Sequence, residues 1–213
     1  MEKLNNTTHP KAYLNFNEVT KPFLETEFVI KKVMCDYNAR ISQGKPANKL
    51  ESLFYWIDAK VKYCKDDLEF KKANKFARTA KQIWESGLTT GCTDYAILFA
   101  TFAKQLGIPT TILHTAELDW INALQTCGDF KMHNGHNFNE CFYDNKWVLV
   151  DPTYCKLVEK YNPDNIELSY NVGGKNKFVA FNRTSNFEPT NIKEYNKQMD
   201  ITCYKLELSA IKN

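Results

Sequence analysis

The chain has 213 residues, of which 43% are hydrophobic and 14% aromatic, so it has ample material for the core of a globular protein. Its formal net charge of +3 comes from scattered charged residues, and the pairs Lys31-Lys32 and Lys71-Lys72 are typical of solvated helix faces, which disfavours a nucleic-acid partner. No apolar run approaches the roughly 20 residues of a membrane span, so no membrane partner is expected.

The first third of the chain is predicted to be helical. Apolar residues recur at helical spacing between Asn17 and Arg40, with Pro22 near the first turn, and Gly44-Lys45-Pro46 ends this helix. A third helix is predicted from Phe76 to Trp84. Between these two, a second helix is indicated by Leu50, Phe54, Ile57 and Val61.

A buried helix is predicted to begin at or just before Cys92. The breaker-rich run Gly87-Leu88-Thr89-Thr90-Gly91 precedes it, Thr89 or Thr90 is expected to cap it, and Gly107-Ile108-Pro109 ends it. Free backbone N–H groups and the positive end of the dipole stabilise a thiolate at such a position, and they can also receive an oxyanion. Because Cys92 lies outside the apolar stripe, we favour a functional thiol over a small buried hydrophobe.

The next segment is predicted to lead into a hairpin. A strand is expected from Pro109 to Thr115, a short helix from Ala116 to Gln125, and a polar loop from Thr126 to Asn134. Two runs rich in aromatic and β-branched residues, 137–143 and 146–150, then flank Asp144-Asn145, a pair that tolerates positive φ, so they predict a hairpin with a two-residue turn.

The register of this hairpin makes a prediction about His136 and Asp151. If Tyr143 pairs with Lys146, Phe138 lies opposite Asp151, so His136 and Asp151 share a face as diagonal neighbours, roughly 7–8 Å apart at the backbone. A four-residue loop gives the same register, whereas a three-residue loop would place the two side chains on opposite faces.

The remaining residues predict a second hairpin and a helix. Residues 166–170 and 178–181 flank Gly173-Gly174, and a helix rich in lysine and glutamate is expected from about Thr190. No repeat or low-complexity linker interrupts the chain. We therefore expect a single domain over residues 1–213, with a helical part at about 1–80, a core at about 80–155, and C-terminal strands and a helix at 156–213.

Other polar residues are given structural interpretations. His114 is interpreted as a core or edge residue, Asp94 as a residue that caps the helix start, and Glu140 as structural, with substrate binding as the alternative. His133, His136, Cys127 and Cys141 lack a C-x-x-C knuckle, and His136 and Cys141 point to opposite strand faces, so a metal site is not expected.

Several short motifs resemble the transglutaminase-like superfamily over about residues 80–155. They are Gly91-Cys92-Thr93-Asp94-Tyr95-Ala96, Leu106-Gly107-Ile108-Pro109, His136-x-Phe138-x-Glu140 and Trp147-Val148-Leu149-Val150-Asp151-Pro152-Thr153. The resemblance implies an α+β, papain-like fold in which a helix bearing the cysteine packs on an antiparallel sheet. It also places the family's catalytic cysteine, histidine and aspartate on Cys92, His136 and Asp151.

A thiol, an imidazole and a carboxylate are the groups that cysteine acyl transfer needs. We therefore predict a cysteine protease or amidase that acts on a protein or peptide substrate, forms a thioester and needs no cofactor or metal. A protein-crosslinking transglutaminase, a peptide-glycan amidase and a non-catalytic scaffold relative are the alternatives. Water is abundant and an amine competes only where the site shields the thioester, so hydrolysis is expected to be the main outcome.

The cellular compartment is predicted from the cysteines. Seven widely spaced cysteines and an amino terminus without a hydrophobic signal core fit a reducing, cytoplasmic environment better than a disulfide framework.

Overall fold

The computed structural model describes residues 13–127, 134–172, 175–185, 187, 193, 195–197 and 199. The helices are α1 (Leu24–Ser42), α2 (Lys49–Lys60), α3 (Leu68–Asn74), α4 (Ala80–Ser86), α5 (Cys92–Gln105) and α6 (Leu118–Cys127). The strands are β1 (Lys62–Tyr63), β2 (Leu88–Thr89), β3 (Thr110–Glu117), β4 (Gly135–Tyr143), β5 (Lys146–Asp151), β6 (Lys156–Val158), β7 (Glu167–Val172) and β8 (Lys175–Thr184).

Strands β3 to β8 form an antiparallel sheet with the order β6-β5-β4-β3-β8-β7. Side chains alternate along each strand between the two faces of the sheet, and both faces contain buried hydrophobic residues. One face packs on the helices through residues such as Ile112, Cys141 and Val150. The other encloses a separate cluster that includes Leu113, Phe138 and Leu149. The predicted α+β class, with helices packed on an antiparallel sheet, is confirmed.

Helix α5 lies between the helices α1, α2 and α4 and the sheet. Every residue from Thr93 to Lys104 is buried, because α1, α2 and α4 contact it on one side and β3 and β4 on the other. Leu106 follows its last residue, and Gly107 then adopts a φ of +76°, a conformation that glycine reaches without steric cost, so the chain turns into β3. The predicted helix, its first turn at Cys92 and its end at Gly107 are confirmed.

The predicted start of the first helix is wrong. Residues 17–20 form a turn in which the Thr20 N–H donates to the Asn17 side chain at 3.0 Å, and α1 begins at Leu24. Pro22 lies two residues before Leu24, near the first turn as predicted. Of the expected apolar stripe, Val29 and Val33 are buried, but Phe28 is exposed.

Helix α2 is confirmed, with all four of its indicator residues buried. It begins where the Asn48 side chain accepts a hydrogen bond from the Leu50 N–H at 2.8 Å, which satisfies one of the free donors of the first turn.

The third predicted helix is also displaced. Helix α4 begins at Ala80, after Thr79 and Gln82 satisfy each other's backbone N–H groups, whereas Phe76 lies outside any helix with a φ of +63°. The short helix α3 precedes it and was not predicted. Helix α3 buries none of its residues, so it leaves no apolar stripe in the sequence.

The predictions after α5 are largely confirmed. Strand β3 and helix α6 follow in the expected order, and β7 pairs with β8 as the second hairpin. The polar loop before His136 and the helix from about Thr190 fall mostly outside the described residues. Across the part of the chain that the structure describes, no helix is long and apolar enough to cross a membrane.

Candidate active site

Cys92 is the first residue of α5 and is half-buried. Its backbone N–H belongs to the first turn, where no partner exists within the helix, so it can receive a negatively charged oxygen. The predicted threonine cap is wrong, because the residue before the helix is Gly91 and no side chain caps the helix start.

A buried ion pair holds the loop before Cys92. The Asp94 carboxylate accepts hydrogen bonds from the Thr90 N–H at 2.6 Å, from the Thr90 hydroxyl at 2.8 Å and from the Arg78 guanidinium at 2.5 Å. Arg78 also donates to the Leu88 carbonyl at 2.9 Å. Asp94 therefore fixes the backbone that leads into Cys92 but does not cap the helix, so its predicted capping role is wrong. Arg78 lies 16 residues earlier in the chain, and no local sequence pattern indicates that it pairs with Asp94.

The hairpin that contains His136 has the predicted register. Asp144 and Asn145 have φ values of +50° and +60°, the conformation of a two-residue turn with positive φ, and Tyr143 pairs with Lys146. The His136 Nε2–H donates to the Asp151 carboxylate at 2.9 Å. The predicted adjacency of His136 and Asp151 is confirmed.

Asp151 is fixed by backbone donors beyond the end of β5. Its second oxygen accepts hydrogen bonds from the Thr153 N–H at 3.0 Å and the Tyr154 N–H at 3.2 Å, and its side chain is almost fully buried. Both carboxylate oxygens are thus occupied, so the oxygen that meets His136 has a defined position.

Cys92 lies beside the same imidazole, and both side chains line the same two cavities, close enough for each to shift the pKa of the other. Burial by itself raises the pKa of Cys92, but the hydrogen bond to His136 and the charge of its imidazolium outweigh burial and hold the pKa below its usual value. Burial lowers the pKa of His136, yet the hydrogen bonds to Asp151 and Cys92 raise it to about 10. The arrangement favours a thiolate beside an imidazolium.

Asn137 connects this site to the neighbouring strand and was missed by the sequence reasoning. Its backbone lies close enough to the Cys92 sulfur to help lower the pKa of that thiol, and its side-chain amide donates to the Thr93 hydroxyl at 2.6 Å. The His114 Nδ1 lies 3.1 Å from the Asn137 side-chain oxygen. Asn137 thereby links the start of α5 to β4 and β3. The signal available was a polar residue at a buried strand position.

Gly135, the residue before His136, lies close to β3. A Cβ atom at this position would come within 2.2 Å of the Thr115 carbonyl oxygen. The strands approach each other here only because position 135 has no side chain.

Two cavities meet at Cys92 and His136, and both are also lined by Tyr63 and Gly91. The first, which we call the Lys75 cavity, has a volume of about 360 Å³ and is further lined by residues that include Lys75, Phe76, Thr115, Asn137, Tyr195 and Met199. The second, the Tyr154 cavity, has a volume of about 390 Å³ and is further lined by Tyr95, Thr153 and Tyr154.

The other polar residues singled out in the sequence lie away from the reacting groups. Glu140 is fully buried and paired with Arg183, and it lines neither cavity, which agrees with the structural interpretation. Burial lowers the pKa of His114 to about 4, so this histidine is neutral and belongs to the core, as predicted. Among the described residues, no three His, Cys, Asp or Glu side chains lie close enough together to hold a metal ion.

Residues 36–152 match the family model of the transglutaminase-like superfamily. The match covers more than half of the chain, and its limits include Cys92, His136 and Asp151. The chain belongs to the transglutaminase-like superfamily.

One solved structure with a related arrangement is that of a candidate cysteine protease from Cytophaga hutchinsonii. It is 15% identical in sequence and gives a TM-score of 0.47, over 82% of this chain and 46% of that protein. This chain therefore spans about half the length of that protein. No curated protein matches the sequence.

Proposed function

We propose that this protein hydrolyses a peptide or carboxamide bond through a thioester on Cys92, with His136 as the proton carrier and Asp151 as the residue that orients it. The observation that supports this proposal best is the position of the His136 imidazole between the Asp151 carboxylate and the Cys92 thiol. Membership of a superfamily of thiol enzymes supports the general class of reaction.

In the first half of the reaction, the Cys92 thiolate attacks the carbonyl carbon and a C–S bond forms. The carbonyl oxygen becomes an oxyanion, which the Cys92 backbone N–H can stabilise. When the C–N bond breaks, the His136 imidazolium donates its proton to the leaving nitrogen, and a thioester remains. Asp151 keeps the Nε2–H of His136 fixed, so the other nitrogen faces the thiol throughout.

In the second half, water attacks the thioester. His136 accepts a proton from the water, a new C–O bond forms and the C–S bond breaks, which releases a carboxylic acid and restores the thiolate–imidazolium pair. Cys92 is half-buried and not sealed from solvent, so water can reach the thioester. This exposure favours hydrolysis over transfer of the acyl group to an amine.

A crosslinking reaction is the second candidate, because a second cavity beside Cys92 leaves room for an amine acceptor. The peptide-glycan amidase alternative shares the acyl step and differs in the substrate that enters the cavities.

The test is a screen of peptide and glutamine-amide libraries in the presence of excess labelled primary amine, with Cys92→Ala as the control. Mass spectrometry of the products would show free acid as the main product of the active protein and no product from the control. A main product that contains the labelled amine would replace hydrolysis with crosslinking. Hydroxylamine added to the reaction should trap the thioester as a hydroxamate.

A scaffold without activity would give a different result. It would release no product from any library and would show a Cys92 thiol no more reactive than the other cysteines.

A further inference from the structure

The Lys75 cavity contains an ammonium group that the hydrolysis of an amide does not require. Lys75 follows the last residue of α3 and is half-buried, and its Nζ lies 5.3 Å from the centre of the Phe76 ring. Its positive charge is close enough to the Cys92 sulfur to help lower the pKa of that thiol, after the larger effects of burial and His136.

No carboxylate among the described residues pairs with this charge. The ion pairs of the described chain leave Lys75 out, and the described residues that line the cavity include no aspartate or glutamate. Lys72, in the preceding helix α3, differs, because its Nζ pairs with Glu69 at 2.8 Å. Lys71, also in α3, lies over the ring of Tyr63 at 4.7 Å, and Tyr63 lines both cavities.

The backbone at this point adopts a conformation that bulky residues rarely take. Phe76 has a φ of +63°, a strained conformation for a residue with an aromatic side chain. The result is that the Phe76 ring stacks on Tyr195, with ring centres 4.0 Å apart, while Lys75 lines the same cavity. Strained residues concentrate at ligand sites, and here the strain positions both an aromatic wall and a cation beside the thiol.

We propose that the Lys75 cavity binds a carboxylate group of the substrate, located next to the bond that Cys92 attacks, with the Lys75 ammonium as its counterion. The substrate is then an acidic peptide or amide, with an aspartate, glutamate or free carboxylate on one side of the scissile bond and the Phe76–Tyr195 wall against its aliphatic part. This inference rests on the proposed function, because it names the substrate of the same site.

Electrostatics gives the reason for this choice. A cation in a partly enclosed cavity is most stabilised by an anion that fills it, since the cavity walls displace water that would otherwise screen the pair. The Cys92 thiolate and the His136 imidazolium offset each other's charge, and the amino end of α5 adds to the positive potential at the same place. A neutral or basic group in the cavity would leave the Lys75 ammonium without a carboxylate partner.

The experiment compares two alkylating agents that differ only in charge. Iodoacetate and iodoacetamide form the same C–S bond to Cys92 and release the same iodide, but only iodoacetate has a carboxylate. Mass spectrometry of the Cys92 peptide gives both rate constants, and their ratio cancels any change in the thiolate population. The ratio is measured for the wild type, Lys75→Gln, Lys75→Arg and Lys72→Gln. The last variant removes an equal charge from α3, three residues before Lys75.

We expect Lys75→Gln to lower the iodoacetate-to-iodoacetamide ratio about three- to fivefold, as one charge at several ångströms does in a partly aqueous site. Lys75→Arg should keep the ratio, Lys72→Gln should leave it unchanged, and high salt should reduce the difference. Circular dichroism establishes that each variant is folded. An unchanged ratio in Lys75→Gln, or an equal loss in Lys72→Gln, overturns the proposal.

The alkylation ratio does not depend on turnover, so it separates this inference from the proposed function. If no amide is cleaved but the ratio falls in Lys75→Gln alone, the anion site stands and the hydrolase proposal fails. If amides are cleaved through Cys92 while the ratio does not respond to Lys75, the hydrolase proposal stands and the acidic substrate is wrong. In the peptide library, matched Glu and Gln members should differ in KM for the wild type, and Lys75→Gln should remove the preference.

Discussion

Two buried histidines on neighbouring strands show how partners decide chemistry. His136 on β4 and His114 on β3 are 7% and 2% exposed, and Thr115, next to His114, pairs with His136 across the ladder. Burial lowers the pKa of each imidazole. His136 meets a carboxylate and a thiol, and its pKa rises to about 10, whereas His114 meets an amide and a phenol, and its pKa falls to about 4.

The difference lies in the charge of the partner. A carboxylate offsets the desolvation cost of burying an imidazolium, whereas a neutral amide oxygen does not, even at a similar hydrogen-bond distance. A buried histidine is therefore an insufficient sign of a catalytic base. The carboxylate partner, Asp151, distinguishes the proposed catalytic histidine from the structural one. Each of the following experiments changes one of the two histidines, one of its partners or the pH.

The largest effect is expected from Asp151→Asn, which gives His136 a neutral partner like that of His114. Once a substrate is known, kcat/KM should fall about a thousandfold to ten-thousandfold, because the imidazole loses its fixed tautomer and the support for its positive charge. Steady-state kinetics measures the change, with circular dichroism as the control for folding. Retention of most of the activity would contradict the role of Asp151.

The next effect concerns the Cys92 thiol. His136→Ala removes the main groups that lower the pKa of Cys92 and leaves burial, which raises it. Alkylation of Cys92 by iodoacetamide near pH 6 should therefore slow by at least about tenfold, since the thiolate fraction falls with the difference between pH and pKa.

In the wild-type protein, the rate of turnover should increase as the pH rises through the lowered pKa of Cys92. It should decrease as the pH passes about 10, where His136 loses its proton. If the Cys92 thiol is alkylated no faster at acidic pH than the exposed Cys35 thiol, this would argue against a thiolate–imidazolium pair.

A smaller effect is expected at His114. Because its folded-state pKa is lowered from 6.5 to about 4, the unfolded chain binds a proton that the native protein does not. The stabilisation from a neutral His114 is full above pH 6.5 and is lost as the pH falls towards 4. Between pH 7 and 4.5 the resulting decrease in the free energy of unfolding is about 2 kcal/mol.

Urea unfolding of the wild type and of His114→Gln at pH 7 and pH 4.5 measures this decrease in the free energy of unfolding. The variant should lose about 2 kcal/mol less than the wild type between them, because glutamine does not titrate. An equal loss in both proteins would mean that His114 is already charged in the native state.

The smallest effect is expected when His114 receives a carboxylate partner like that of His136. Asn137→Asp places a carboxylate beside His114, at the atom that now lies 3.1 Å from its Nδ1. The pKa of His114 should rise by about 1–3 units, the effect of an adjacent opposite charge. Titration of the imidazole by NMR measures it, with the wild type as the reference. A pKa that stays near 4 would show that burial, and not the partner, controls this histidine.

The parts of the fold and site that the sequence predicted well depend on local patterns. Helix α5 has a breaker before it and Gly107 after it, and the β4–β5 hairpin has a turn pair that fixes its register, so the adjacency of His136 and Asp151 followed from spacing alone. The approach of Cys92 to this pair was suggested by the chemistry that the three residue types share.

The parts that could not be predicted depend on contacts between distant residues. Helix α3 has no buried face, and the position of Phe76 results from packing on Tyr195, far along the chain. The Arg78–Asp94 and Glu140–Arg183 pairs join elements whose approach is set by the folded core, and no local pattern encodes them. Lys75 reaches the Cys92 site in the same way.

Gly135 has a consequence for how this protein can vary. It is exposed, and exposed positions normally accept many residues, but a Cβ here would overlap the Thr115 carbonyl oxygen. In a deep mutational scan, position 135 should therefore resemble a core position, with alanine as poorly tolerated as larger residues. An engineer who randomises the surface of this site to alter its substrate would leave that codon fixed, because each replacement moves the strand that holds His136.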